Sequence, residues 1–154
     1  MALNFNYQNK DNMEMIEDLG RTFARIAQHV PGGMLVFFPS YWLMEKVYET
    51  WDRSGVLDSI QRHKIVYREP KNAQEYQMIM DRYYTAIFED EESTGAILMG
   101  VCRGRISEGL DFSDKAARCV IVVGIPYPQI TDPKVILKKE FLDNARSLQI
   151  KNRD

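Results

Sequence analysis

The segment from Cys102 to Asp114 holds the side chains of this sequence that are best suited to chemistry. Arg103 and Arg105 carry fixed positive charges that match phosphate oxygens, and Ser107 supplies a hydroxyl donor. The segment follows an apolar run, where a turn after a buried strand is expected. These residues indicate a candidate phosphate-binding turn.

The same segment also contains two glycines and two acidic residues that could serve a ligand. Gly104 and Gly109 permit left-handed backbone or the close approach of a ligand. Glu108 and Asp111 can orient a ribose hydroxyl or accept hydrogen bonds from an arginine of a neighbouring domain. An ordinary loop with solvated charges accounts for the same residues equally well, because neither a metal-ligand spacing nor a G-x-G-x-x-G string is present. The residues alone leave both interpretations open.

The turn Pro39-Ser40-Tyr41 is a second candidate. A helix that begins after Ser40 presents backbone N–H groups and a hydroxyl to an anion, and the Tyr41 ring can stack on a base. A structural cap beside a core tyrosine is the simpler interpretation, since serine is a common N-cap. Considered by itself, this turn favours the simpler interpretation.

Several catalytic patterns do not occur in the sequence. It contains no G-x-x-x-x-G-K-[ST] phosphate loop, no D-E-x-[HD] metal box and no G-x-S-x-G nucleophile turn. Cys102 and Cys119 form no CxxC pair and are expected to be buried thiols, which favours a reducing compartment. His29 and His63 are isolated near helix ends and are expected at the surface. A complete NTPase is excluded, and no acid and base pair points to a small-molecule enzyme.

The elements that position the candidate turns follow from the apolar pattern. Short apolar runs predict strands at 34–38, 64–68, 96–101 and 119–124. Apolar residues spaced by three and four predict helices at about 12–30, 40–51, 72–87 and 132–147. Asn72, with Glu75 three residues later, predicts the N-cap of the third of these helices. Strands that alternate with amphipathic helices are typical of an open parallel α/β sheet, whose ligands bind beyond the carboxyl ends of the strands. Both candidate turns follow such a strand.

The composition describes one domain with balanced charge. The chain has 154 residues, with 20 Lys plus Arg against 22 Asp plus Glu and 45% hydrophobic residues. These values suit a single core and exclude both wholesale disorder and an overall basic surface. No apolar run is long enough to span a bilayer and residues 1–10 carry no signal-peptide pattern, so neither a membrane protein nor a secreted protein is expected.

Three strings occur in one order along the chain. They are Phe37-Phe38-Pro39-Ser40-Tyr41 with Met44-Glu45-Lys46 and Trp51 behind it, then Val101-Cys102-Arg103-Gly104 with Ser107 to Asp114, and finally Gly124 to Pro128. Together they resemble the second motor lobe of the XPD-like iron–sulfur DNA helicases of superfamily 2. The similarity covers most of the chain and is greatest to the telomere-elongation branch of that family.

The resemblance implies a RecA-like open parallel sheet with helices on both faces. It implies that this lobe and a first lobe clamp ATP and Mg, and that hydrolysis moves the pair 5′ to 3′ along single-stranded DNA. The residues implied to bind the nucleic acid are Ser40, Tyr41, Arg103, Arg105 and Ser107. The residues implied to couple the nucleotide to the DNA track are Glu108, Gly109 and Asp111. A nuclear role in genome maintenance, at telomeres, D-loops or G-quadruplexes, follows from the same resemblance.

Parts of the family pattern do not occur between Met1 and Asp154. The arginine-bearing motif Q-x-x-G-R-x-x-R, the first lobe with its phosphate loop and the cluster-binding cysteines are all missing from this sequence. Residues 1–154 are therefore interpreted as one domain of a larger enzyme, which would neither hydrolyse ATP nor hold the 4Fe-4S cluster of that parent enzyme by itself. The alternative is a stand-alone RecA-like interaction module without motor activity.

Overall fold

The computed structural model of the protein describes residues 12–90, 94–109, 112–124 and 132–151. The elements, in chain order, are α1 (Met13–His29), β1 (Met34–Phe38), α2 (Tyr41–Ser54), α3 (Val56–Gln61), β2 (Ile65–Arg68), α4 (Ala73–Phe88), β3 (Ala96–Val101), α5 (Arg105–Gly109), a 3-10 turn (Asp114–Ala116), β4 (Cys119–Val122) and α6 (Pro133–Lys151).

The strands form one parallel sheet in the order β2-β3-β1-β4. β1 pairs with β3 from Met34 opposite Ile97 to Phe38 opposite Val101. β1 and β3 therefore occupy the centre of the sheet, which explains why both sequences are continuous apolar runs. The predicted RecA-like open parallel sheet is confirmed.

Helices cover both faces of the sheet, as expected for that fold. Because successive strand residues point to opposite faces, β1 contributes Val36 and Phe38 to one apolar layer and Leu35 to the other. The first layer packs α1, α2 and α3 onto the sheet, and the second packs α4, α5 and the 3-10 turn. Trp51, buried in the first layer, donates its indole N–H to the carbonyl of Ile16 at 2.7 Å.

Side-chain caps fix the starts of two helices where the sequence predicts them. Ser40 Oγ accepts the N–H of Leu43 at 3.3 Å at the start of α2. Asn72 Oδ1 accepts the N–H groups of Gln74 at 2.6 Å and Glu75 at 3.0 Å at the start of α4. These bonds satisfy N–H groups that have no partner within the helix. Both predicted caps are confirmed.

Helix α3 was not predicted from the sequence. Gly55 takes the left-handed conformation, with φ of +73°, and joins α2 directly to α3. Val56, Leu57 and Ile60 are buried, and the helix packs against α1. With six residues α3 is too short for a helical period to stand out, so its tertiary packing is what identifies it.

Four predicted details differ from the structure. Strand β2 begins at Ile65, and β4 ends at Val122, whereas α6 continues to Lys151. The expectation of buried thiols is wrong: Cys102 and Cys119 are half-buried and free. Cys102 lies just past the end of β3 and Cys119 lies on an edge strand, so neither is enclosed on all sides. Within the described ranges, no helix is both long and apolar enough to cross a membrane.

Lys64 closes the amino edge of the sheet from a buried position. Its side chain is 1% exposed, and Nζ donates to the carbonyls of Gly32 and Thr94, both at 2.7 Å. These carbonyls lie just before β1 and β3, so one ammonium group is hydrogen-bonded to the chain at the start of both central strands. Burial lowers the pKa of Lys64 to about 8.

We expect this buried lysine to make stability rise with pH. The unfolded chain binds the proton with the ordinary pKa of 10.5, whereas the folded chain releases it near pH 8. The contribution of Lys64 to the free energy of unfolding should therefore rise between these values, by up to about 3 kcal/mol. The neutral amine keeps two N–H donors, so both hydrogen bonds can persist. Urea unfolding at about pH 7, 9 and 10 measures the effect.

The matched variants are Lys64→Met, which should lose the rise, and Lys138→Met, which removes an exposed lysine and should keep it. Equal pH slopes for the wild type and Lys64→Met would contradict the prediction.

Candidate functional site

The candidate turns meet at a topological switch point. From β1 the chain passes through α2 and α3 to β2, on one side of β1 in the sheet. From β3 it passes through α5 and the 3-10 turn to β4, on the other side. The connections that leave the neighbouring strands β1 and β3 therefore run in opposite directions on opposite faces of the sheet, an arrangement that leaves a crevice at their carboxyl ends. In open parallel sheets, ligands bind at such a position.

The two turns predicted from the sequence, residues 39–41 and 102–105, leave the sheet side by side. Phe38 and Val101 are paired across the last position of the β1–β3 ladder. The N–H of Cys102 then donates to the carbonyl of Phe38 at 2.8 Å, one residue beyond the strand. The structure thus brings together two segments that the sequence separates by about sixty positions.

Two exposed arginines stand on the second of these turns. The N–H of Gly104 donates to the carbonyl of Val101 at 2.8 Å and closes a turn in which Arg103 has φ of +64°. Arg103 is the one residue other than glycine with positive φ in the described part of the chain. A side chain in this region costs roughly 1–2 kcal/mol. Such strain is typical of functional sites, because it holds a group where unstrained backbone would not.

Glu69 belongs to this site, a role that the sequence did not predict. The residue is 1% exposed at the end of β2. Its Oε2 accepts the N–H of Val101 at 2.8 Å, and its Oε1 accepts those of Arg105 at 2.9 Å and Ile106 at 3.5 Å. The carboxylate thus occupies the N–H groups of Arg105 and Ile106 in the first turn of α5, so these two groups are not available to an anion. The signal available in the sequence was an acidic residue directly after an apolar strand.

Tyr41 is half-buried in the first turn, and Ser40 is exposed beside it. Burial raises the pKa of the Tyr41 hydroxyl, the Glu69 carboxylate raises it further, and Arg105 opposes the rise. The hydroxyl is therefore within electrostatic reach of both groups. The interpretation of Ser40 as a structural cap is confirmed by its bond from Leu43. A hydroxyl that accepts one hydrogen bond can still donate its own hydrogen to an anion.

The other predicted residues lie on or near α5, which forms where the sequence predicted a loop. Ser107 is exposed, but its hydroxyl donates to the carbonyl of Gly104 at 3.0 Å and so stabilises the first turn of α5. Glu108 is exposed on the same helix, and Gly109 ends it. Asp111 lies outside the described residues.

A cleft of about 500 Å³ opens beside the carboxyl end of β2. Its lining includes Glu69 together with Glu45, Tyr48, Arg68 and Lys71. The Arg68 guanidinium lies 3.8 Å from the centroid of the Tyr48 ring and forms an ion pair with Glu45. The sequence did not predict this cleft, because its walls come from α2, β2 and the start of α4.

The sequence matches a known protein family. The helicase C-terminal domain family matches residues 23–153, a range that contains both turns of the site. The chain belongs to this family. The expectation of a helicase motor lobe is confirmed at this level.

Curated relatives of this helicase C-terminal domain share one description. The regulator of telomere elongation helicase 1 homolog of Aedes aegypti is 44% identical over 146 residues, which are 95% of this chain and 14% of the relative. The homolog of Drosophila melanogaster is 44% identical over 142 residues, 92% of this chain and 14% of the relative. The homolog of Anopheles gambiae is 43% identical over 147 residues, 96% of this chain and 15% of the relative. The similarity to the telomere-elongation branch is confirmed, and the chain spans only about 14–15% of the length of these relatives.

The cysteines of this helicase C-terminal domain do not fit an iron–sulfur cluster. Across the described residues, no group of three or more His, Cys, Asp or Glu side chains could hold a metal ion. Burial raises the pKa of both the Cys102 and the Cys119 thiols.

Because the backbone of Arg103 is strained, we expect its glycine variant to be more stable than its alanine variant. Arg103→Gly removes the steric cost of φ +64°, whereas Arg103→Ala keeps it. We expect the free energy of unfolding of the glycine variant to exceed that of the alanine variant by about 1 kcal/mol, although glycine is ordinarily the less stable residue. Chemical denaturation of both variants measures this order. An alanine variant as stable as the glycine variant would show that the turn is not strained.

Proposed function

We propose that this domain is the second motor lobe of an ATP-dependent DNA helicase that moves 5′ to 3′ along single-stranded DNA. The observation that carries the proposal is the edge beyond β1 and β3, where two exposed arginines lie beside a serine hydroxyl and a tyrosine ring in a helicase C-terminal domain. Guanidinium groups bind phosphate oxygens, and aromatic rings stack on bases. Both kinds of contact suit a single-stranded track.

The proposed DNA contacts divide between the two turns. Arg103 and Arg105 bind phosphates, Ser40 donates its hydroxyl hydrogen to another phosphate oxygen, and Tyr41 faces the strand between them. The Ser107 hydroxyl donates to the Gly104 carbonyl, and Ser107 adds a DNA contact when this hydroxyl donates to a phosphate oxygen instead. Few contacts of this kind give weak binding that depends on salt, in keeping with a domain whose total charge is close to balance.

The proposed coupling of nucleotide to DNA runs through α5. ATP and Mg bind between this lobe and the first lobe of the parent enzyme, with Glu108, Gly109 and Asp111 as the coupling residues of this chain. Arg105 is the first residue of α5, so any movement of the helix also moves a proposed phosphate contact. The 4Fe-4S cluster is assigned to the parent enzyme outside this chain. The names of the relatives refer to telomere elongation, which supports a nuclear role of the parent enzyme at telomeres. D-loops and G-quadruplexes are the further DNA structures that we propose for it.

We expect the chain to bind single-stranded DNA weakly and to lose that binding without its two edge arginines. Each phosphate contact to a single strand contributes about 0.7 to the slope of log K against log salt, so Arg103→Ala with Arg105→Ala should lower the slope by about 1.4. Fluorescence anisotropy with a labelled oligothymidylate at several salt concentrations measures the affinity and the slope.

The matched control removes the same charge from the opposite edge of the sheet. Arg53 and Arg62 are exposed near the ends of α2 and α3, just before β2. Arg53→Ala with Arg62→Ala should keep the wild-type slope. No binding by the wild type at low salt, or equal losses in the two double variants, would count against the proposed DNA edge.

We expect the isolated chain to hydrolyse no ATP, with or without single-stranded DNA, because its sequence holds no phosphate loop. The parent enzyme with both lobes should hydrolyse ATP faster when DNA is added, and Arg103→Ala with Arg105→Ala in the parent should reduce that stimulation. A phosphate-release assay compares the three proteins. A two-lobed parent with no DNA-stimulated hydrolysis would favour the interaction module without motor activity.

A further inference from the structure

A buried negative charge next to a proposed DNA-binding edge requires a physical reason. Burying a carboxylate costs free energy unless hydrogen bonds compensate, and its field repels phosphate. Hydrogen bonds compensate the burial of Glu69, because its carboxylate accepts the backbone N–H groups of Val101 at the end of β3 and of Arg105 and Ile106 in α5. Its contacts are therefore directed at the segment that carries Arg103 and Arg105.

The turn is shaped to receive this carboxylate. A Cβ at Gly104 would lie 2.7 Å from Oε1 and 2.9 Å from Oε2 of Glu69. A Cβ at Gly100 would lie 3.2 Å from Oε2. The lack of a side chain at both positions lets the carboxylate reach the backbone of β3 and α5. Glu69 thereby fixes the chain on both sides of the strained residue, at Val101 before it and at Arg105 after it.

The same carboxylate also faces the turn after β1. The Tyr41 hydroxyl responds to the charges of both Glu69 and Arg105. Glu69 directly follows β2, which is not adjacent to β1 in the sheet, yet its side chain reaches the end of β3. One side chain thus bonds to the end of β3 and lies within electrostatic reach of Tyr41 after β1.

We propose that Glu69 is the positioning residue of the DNA-binding edge, holding the Arg103–Arg105 turn against Tyr41 in the geometry that binds a single strand. The proposal rests on the DNA-binding function proposed above. Only a carboxylate offers two acceptor oxygens at this place. A glutamine offers one oxygen, and its NH2 group would face a backbone N–H.

A positioning role of Glu69 and a mere electrostatic effect of its charge predict opposite results for Glu69→Gln. Loss of positioning should weaken the binding of an oligothymidylate several-fold and lower the salt slope by about 0.7 or more, because at least one phosphate contact is lost. Removal of a nearby negative charge, with no positioning role, should strengthen binding and leave the slope unchanged. Affinity or slope equal to or above the wild-type value would overturn the proposal.

The experiment separates positioning from general loss of stability and from failure of the proposed function. Ile60→Val removes a buried methylene in α3, far from the crevice, and should bind DNA as the wild type does when both are folded by circular dichroism. Arg103→Ala with Arg105→Ala is measured alongside. If that double variant binds like the wild type, the DNA edge itself is wrong. If it loses binding while Glu69→Gln does not, only the role of Glu69 is wrong.

A second variant keeps the test decisive if Glu69→Gln does not fold. Glu69→Asp retains the charge but is one methylene shorter, so its carboxylate cannot reach Val101, Arg105 and Ile106 together. It should show the same reduced salt slope, together with faster hydrogen exchange at the Arg105 and Ile106 amides. A wild-type slope in this variant would overturn the proposal.

Discussion

The carboxylate of Glu69 accepts three N–H groups from residues 101–106, and the shape of the whole carboxyl edge depends on those bonds. They begin α5, and they anchor both ends of the turn that holds Arg103 in left-handed backbone. Without an acceptor at this position, buried N–H groups would lose their partners, at about 1–3 kcal/mol for each. The edge is therefore stabilised by a residue that lies on a different strand.

Lys64 performs the corresponding task at the opposite edge. It precedes β2 as Glu69 follows it, and its Nζ joins the chain before β1 to the chain before β3. Strand β2 is short and lies at the edge of the sheet, yet it carries a buried charge at each end. Each charge is satisfied by backbone groups of other segments, which fixes the position of β2 more specifically than apolar contacts do.

At the carboxyl edge, the residues that serve the proposed DNA-binding role are not those that would give the most stable fold. Glycine would fit the φ of Arg103 with less strain, and an apolar residue would be easier to bury than Glu69. In the role proposed above, Arg103 supplies a cation at the switch point and Glu69 positions it. The chain spans 14% of the length of the Aedes aegypti homolog, and the proposed motor includes a first lobe beyond this domain.

The sequence by itself determined the class of fold, the central strands and the two candidate turns. These follow from local patterns: continuous apolar runs in β1 and β3, and caps at Ser40 and Asn72. Tertiary structure alone decided the roles of Lys64 and Glu69, the existence of α3 and the helical start of α5. The partners of Glu69 lie 32 to 37 positions away, and they become neighbours only because β2 pairs with β3. Periodicity is a property of adjacent residues, whereas the partner of a buried charge depends on strand order.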